Sequence, residues 1–75
     1  MTNSNQQLAI QLKTKGLTCT TKAGAKGEAW FDRATRCYCV TATRPDGEQL
    51  FNKMTRNTTT ARILMRSLAP LDRWS

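Results

Sequence analysis

Seventy-five residues make one domain, residues 1–75, too short to bury more than about 60–65% of its unfolded surface. Hydrophobic residues at 39% and charged residues at 23% exclude a disordered chain, and no run nears the ~20 apolar residues that cross a membrane. Twelve Lys+Arg against five Asp+Glu, a net charge of +7, favour a polyanionic partner, of which nucleic acid is the commonest.

The chain opens polar and uncharged from Met1 to Gln7, without the basic and apolar regions of a secretory leader. Three cysteines, an odd number, agree with a reducing compartment. A cytoplasmic protein is the expectation. Residues 1–3 are expected to fray. Ser4 can cap a helix over Asn5–Lys15 that ends at Gly16, with Leu8, Ala9 and Leu12 as its apolar stripe. Lys13 and Lys15 fall in its last turn, where cations suit the helix dipole or meet a ligand.

Leu17–Lys22 alternates Leu17 and Cys19 with threonines and reads as a strand. Ala23–Gly27 reads as a connector, either a plain hairpin link or a loop whose Lys26 meets phosphate. Glu28–Asp32 is the next strand, Arg33–Arg36 a turn, and Cys37–Thr43 the most strand-prone stretch of the chain. Pro45-Asp46-Gly47 marks a tight turn, after which Gln49–Met54 closes a meander. Alternation sets Tyr38, Val40 and Ala42 on a core face, and Cys37, Cys39, Thr41 and Thr43 on an exposed or ligand-facing one. Asn57 or Thr58 caps a final helix, Thr59–Leu68, in which Ala61, Leu64, Met65 and Leu68 share one face. Pro70 ends it. Residues 72–75 are expected to fray, although Trp74 can fold back on the core. The fold class is therefore α+β, an antiparallel sheet of three to four strands packed by an N-terminal and a C-terminal helix.

Catalysis finds no support in the residue types. There is no histidine, the commonest general base. Glu28, Asp32, Asp46 and Glu48 lie beside turns without pairing, and no serine has a nucleophile-elbow context. Cys19, Cys37 and Cys39 are one ligand short of a zinc site, and two positions on one strand suit a disulfide poorly. No enzyme activity, metal or cofactor is expected.

The cations suit binding better. Arg33, Arg36, Arg44 and Arg56 punctuate turns and strand ends, Lys53 lies in the last strand, and Arg62 and Arg66 are one turn apart on the final helix. Arginine pairs with guanine and phosphate, and Gln49 and Asn52 supply groups that pair with adenine. The layout GEAWFD, CYCVTAT, PDGEQLF, NTTTARILMRSL, covering residues 27–68, resembles the three-stranded-sheet DNA-binding domains: the arm-binding domains of phage integrases and the plant ethylene-response-factor domains. That resemblance implies a sheet face docked in a DNA major groove, with Arg33, Arg36, Arg44 and Lys53 as contacts. A regulatory or recombination-accessory role in a bacterium or mobile element follows from it. The α-β-β-β-α order is also similar to double-stranded-RNA-binding domains, although the final helix opens Asn-Thr-Thr-Thr instead of with lysines.

Two other readings stay open. A small mobile-element protein that inhibits a host protein would use Trp30, Phe51 or Trp74 as exposed anchors, and a homodimer is compatible with so short a chain. Arg33, Arg36, Arg44 and Lys53 converging on one open sheet face would favour nucleic acid. A tryptophan in an exposed apolar patch would favour a protein partner.

Overall fold

The computed structural model describes residues 4–75. Met1–Asn3, expected to fray, lie outside the described residues, as does the side chain of Ser4 and with it the expected cap. Helix α1 (Ser4–Thr14) leads into four strands, β1 (Leu17–Thr20), β2 (Lys26–Asp32), β3 (Cys37–Thr43) and β4 (Gln49–Thr55), followed by helix α2 (Thr58–Leu68) and a short 3₁₀ turn at Leu71–Arg73. The strands form one antiparallel meander in chain order. Both helices cover the same side of it. The α+β class and the two-helix packing are those the sequence predicts, with the strand count at its upper value.

Local chemistry accounts for the joints. Gly16 ends α1 with φ 72°. Asn57, with extended backbone, accepts from the Thr59 amide at 2.8 Å through its side chain and so caps α2. In the β3–β4 hairpin, Gly47 takes φ 94°, its amide donates to the Arg44 carbonyl, and Asp46 Oδ1 accepts from the Glu48 amide at 2.9 Å.

The core lies between sheet and helices. Leu8 and Leu12 of α1, Ala61 and Met65 of α2, and Leu17, Ala29, Tyr38 and Val40 of the sheet are buried in it. Register follows the expected alternation: Val40 pairs with Ala29 and Ala42 with Gly27 on the helix-covered face. Phe31 and Tyr38, opposite one another, meet edge-to-face at 5.1 Å.

Three expectations are corrected. Lys26 and Gly27 are not a loop: they form the start of β2, opposite Thr43 and Ala42. The alternation of Cys19 with Gly27 and Ala29 on one face draws them into the sheet. Residues 72–75 are not frayed. Trp74 is buried, its Nε1 donates to the Ala69 carbonyl at 3.3 Å, and Ser75 exchanges two backbone hydrogen bonds with Thr18 on the outer edge of β1. Cys39 is not exposed, although it points away from the helices. It is 5% accessible because Trp30 and Met54 stand on either side of it.

Gly27 is where the tail and the sheet touch. A Cβ added there would overlap the Trp74 indole and come within 2.5 Å of Leu68 Cδ2. Gly27→Ala is therefore expected to destabilise the fold by about 1–3 kcal/mol through overpacking, read as a lower urea midpoint. An unchanged midpoint would show that the tail packs elsewhere.

Candidate nucleic-acid interface

The strand directions sort the cations into groups. The β2–β3 turn, the end of β4 and the end of α1 all lie at one end of the sheet. Asp32 pairs with Cys37, and Tyr38 with Thr55, so Arg33, Arg36 and Arg56 emerge side by side. Lys13 joins them from α1. Its carbonyl accepts from Arg33 Nη2 at 3.5 Å, and its ammonium sits 5.1 Å from the Phe31 ring centre. Lys15 follows, lining a shallow groove with Gly16, Thr18, Glu28 and Trp30.

Lys13, Lys15, Arg33, Arg36 and Arg56 are all exposed. Among the described residues, two acids lie here: Glu28 lines the groove beside Lys15, and Asp32 has its carboxylate engaged by the β2–β3 turn. Oδ1 accepts from the Ala34 amide at 3.0 Å and Oδ2 from the Thr35 hydroxyl at 3.1 Å. Asp32 ties the loop shut and leaves the arginines without a close counterion.

Arg36 adds a backbone signature. Its φ is 57°, the left-handed region, where glycine is the ordinary occupant and a side chain costs about 1–2 kcal/mol. Among the described non-glycine residues it alone has positive φ. The turn Arg33-Ala34-Thr35-Arg36 holds no glycine, so the chain keeps an arginine where a glycine would fold more easily. Strain of this kind concentrates at functional positions.

The other predicted contacts do not join this group. Arg44 sits in the hairpin at the far end and pairs with Glu48 at 3.5 Å. Lys53 pairs in register with Val40, on the helix side of the edge strand, so it cannot share the open face. Lys26, Gln49 and Asn52 lie on or beside the open face, opposite Thr43, Thr43 and Thr41. Arg62 Nη1 donates to Asn5 Oδ1 at 3.3 Å, and Asn5 Nδ2 donates to the Thr59 hydroxyl, so Arg62 fastens α1 to α2. Arg66 is exposed in the last turn of α2. The expected convergence of Arg33, Arg36, Arg44 and Lys53 on the sheet face does not occur. Two of the four instead meet Lys13, Lys15 and Arg56 at the sheet's end.

The open face has a different character. It carries Lys26, Glu28 and Asp32 along β2, threonines on every side, and one row of Trp30, Cys39 and Met54. Trp30 is 40% and Met54 53% exposed. Phe51 packs against the core and Trp74 is buried in it, so Trp30 is the aromatic side chain open to a partner. Burial pushes the Cys39 thiol up, and the nearby Asp32 and Cys37 add to the shift.

Sequence alone gives Lys13 and Lys15 a helix-dipole role as readily as a ligand contact. The signal that promotes them is topological: a helix entering β1 beside β2 delivers its last turn to the end where the β2–β3 turn emerges. Comparisons with protein-family models, with curated proteins and with solved structures found no match. Among the described residues no cluster of metal-ligating side chains forms, and no helix is long and apolar enough to cross a membrane.

Two outcomes follow from this geometry. Arg36→Gly is expected to raise unfolding stability by about 1 kcal/mol through relief of the left-handed backbone, measured by chemical denaturation; a loss of that size would contradict the strain. In the native protein a thiol reagent should modify half-buried Cys37 first, with buried Cys19 and Cys39 protected. Equal rates at all three would contradict the assigned faces.

Proposed function

We propose that this protein binds nucleic acid without catalysing a reaction on it, with double-stranded DNA as the first ligand. The binding surface is the basic end of the sheet: Lys13, Lys15, Arg33, Arg36 and Arg56. The observation that carries the reading is the gathering of these five cations at one end of the sheet, where Asp32 is engaged by its own turn and Glu28 lines the groove beside Lys15. Such a surface attracts phosphates by charge and meets them with guanidinium forks. The strained Arg36 supports the same reading, because the side chain at that position is retained at a cost in stability. The open face is not the proposed binding surface: along β2 it offers one cation, Lys26, against Glu28 and Asp32.

A second reading keeps one specific observation. Trp30 beside Met54 is the kind of exposed aromatic anchor that protein partners use. A chain that binds a host protein through this face would not need its basic end.

A fluorescence titration against duplex DNA at low and moderate salt decides between them. Binding should weaken steeply with salt, as released counterions require. Arg33→Gln with Arg36→Gln should flatten the log–log salt slope by roughly 2, about one for each phosphate no longer neutralised, while Arg44→Gln should leave it unchanged. Absence of binding to duplex DNA, duplex RNA and single strands at low salt would end the nucleic-acid reading and leave the protein-partner reading in front.

A further inference from the structure

At the corner where the basic end meets the open face, the α1–β1 turn and β2 border a groove of about 230 Å³. Trp30 and Glu28 of β2 line it together with Lys15 and Thr18, all four exposed. Beside them lies bare backbone. A Cβ added at Gly16 would stand 3.5 Å from Trp30 Cβ and 3.0 Å from the Ala29 carbonyl oxygen, filling the space next to the tryptophan. Trp30 is 40% exposed and takes no part in the ring pair of Phe31 and Tyr38. Among the described residues the ion pair is Arg44 with Glu48 at the far hairpin, so neither the Lys15 ammonium nor the Glu28 carboxylate is neutralised by a partner.

We propose that this groove holds one unpaired nucleobase at the end of a bound duplex, so that the protein selects junctions between double and single strand. The inference rests on the nucleic-acid reading of the basic end and narrows it to that class of ligand. Each part of a nucleotide meets a matching group. The flat indole of Trp30 offers a stacking surface to the ring, as aromatic side chains do in single-strand sites. The Glu28 carboxylate accepts from an exocyclic amino group, which cytosine, adenine and guanine carry and thymine lacks. Lys15 belongs both to the groove and to the basic end, where it meets the phosphate of the same nucleotide. The acid also sets the orientation, because it repels phosphate from the groove and leaves the backbone to the cations.

Size and distance select the same occupant. The groove is smaller than the ~300 Å³ at which sites for drug-sized ligands begin, so it suits a single ring system. A base inside a duplex cannot use it, because stacking and pairing already occupy its faces and its pairing edge. Trp30 precedes Asp32, the last residue of β2, by about 7 Å along the strand. That is roughly two steps of a nucleic-acid strand at ~3.4 Å each. An unpaired end can therefore reach the groove while Arg33 and Arg36 keep hold of the duplex.

Titration of the full chain at low salt with probes built on one duplex tests this: the blunt duplex, the duplex with a short cytidine extension, and the duplex with an abasic extension of equal length. The two extended probes carry the same phosphates, so charge cannot separate them. The cytidine probe should bind about fivefold tighter than the abasic one or better, fivefold being the lower bound for stacking one base. It alone should quench Trp30 emission, since Trp74 is buried. Trp30→Leu, which keeps an apolar neighbour beside Cys39, should bring the two affinities together with circular dichroism unchanged. Glu28→Gln should narrow the preference for a cytidine over a thymidine extension. Equal affinity for the cytidine and abasic probes, with the blunt duplex still bound, overturns the proposal alone and leaves Trp30 to a protein partner. A cytidine advantage that survives Trp30→Leu also overturns it. Failure to bind any of the probes overturns the nucleic-acid reading on which it rests.

Discussion

The fold depends on one close approach, that of Trp74 and Leu68 to the bare backbone of Gly27. A chain of this length has few large side chains for its core, and Met65 and Val40 are the largest that are fully buried. Bringing an indole from the very end of the chain onto the sheet adds an apolar body worth about 2–3 kcal/mol of burial. It also holds Ser75 against β1, so the same approach fills the core and pairs the edge of β1 at Thr18. Any side chain at position 27 would hold the tail away from both. The tail is thus part of the domain, and the helices, sheet and C-terminus form one packed unit.

Closing the core on one side separates the polar residues by role. The helix-covered side takes the apolar alternates of β1, β2 and β3, with Phe51, Lys53 and Thr55 from β4, and the open side keeps threonines, Cys39, Trp30 and Met54. Arg33, Arg36, Arg44 and Arg56 lie at strand ends, where long side chains reach water without crossing the core. At the end where β2 turns into β3, the last turn of α1 arrives as well, because Gly16 turns the chain directly into β1. Charge density there is a product of topology. The turn itself uses its acid for backbone and hydroxyl hydrogen bonds and leaves its arginines to solvent. Arg36 completes the pattern with a backbone conformation that favours glycine.

Much of the architecture is legible in local chemistry. The spacing of Ala61, Leu64, Met65 and Leu68, the Pro-Asp-Gly turn and the alternation in Cys37–Thr43 each have one low-energy outcome, and the helix, hairpin and faces follow them. The residues that local reading misplaces depend on neighbours distant in sequence. Lys26 and Gly27 join β2 only because β1 and β3 flank them. Cys39 is buried by Trp30 and Met54 from two other strands. Trp74 and Ser75 are held by Gly27 and Thr18, near the other end of the chain. The candidate site is legible in part for the same reason. Arg33, Arg36 and Arg56 are visible as turn and strand-end cations, whereas their meeting with Lys13 and Lys15, and the removal of Arg44 and Lys53 from the group, come from strand direction and register. The left-handed position of Arg36 has a faint signal, a hairpin turn without glycine.

The central claim is that the basic end of the sheet, and not its open face, meets nucleic acid. The most direct measurement is amide chemical-shift mapping as short duplex DNA is added at low salt. Perturbations are expected at Lys13, Lys15, Arg33 to Arg36 and Arg56, with Thr41, Thr43 and Asn52 on the open face unmoved. Perturbations centred on Thr41 and Asn52, with the β2–β3 turn unmoved, would contradict it.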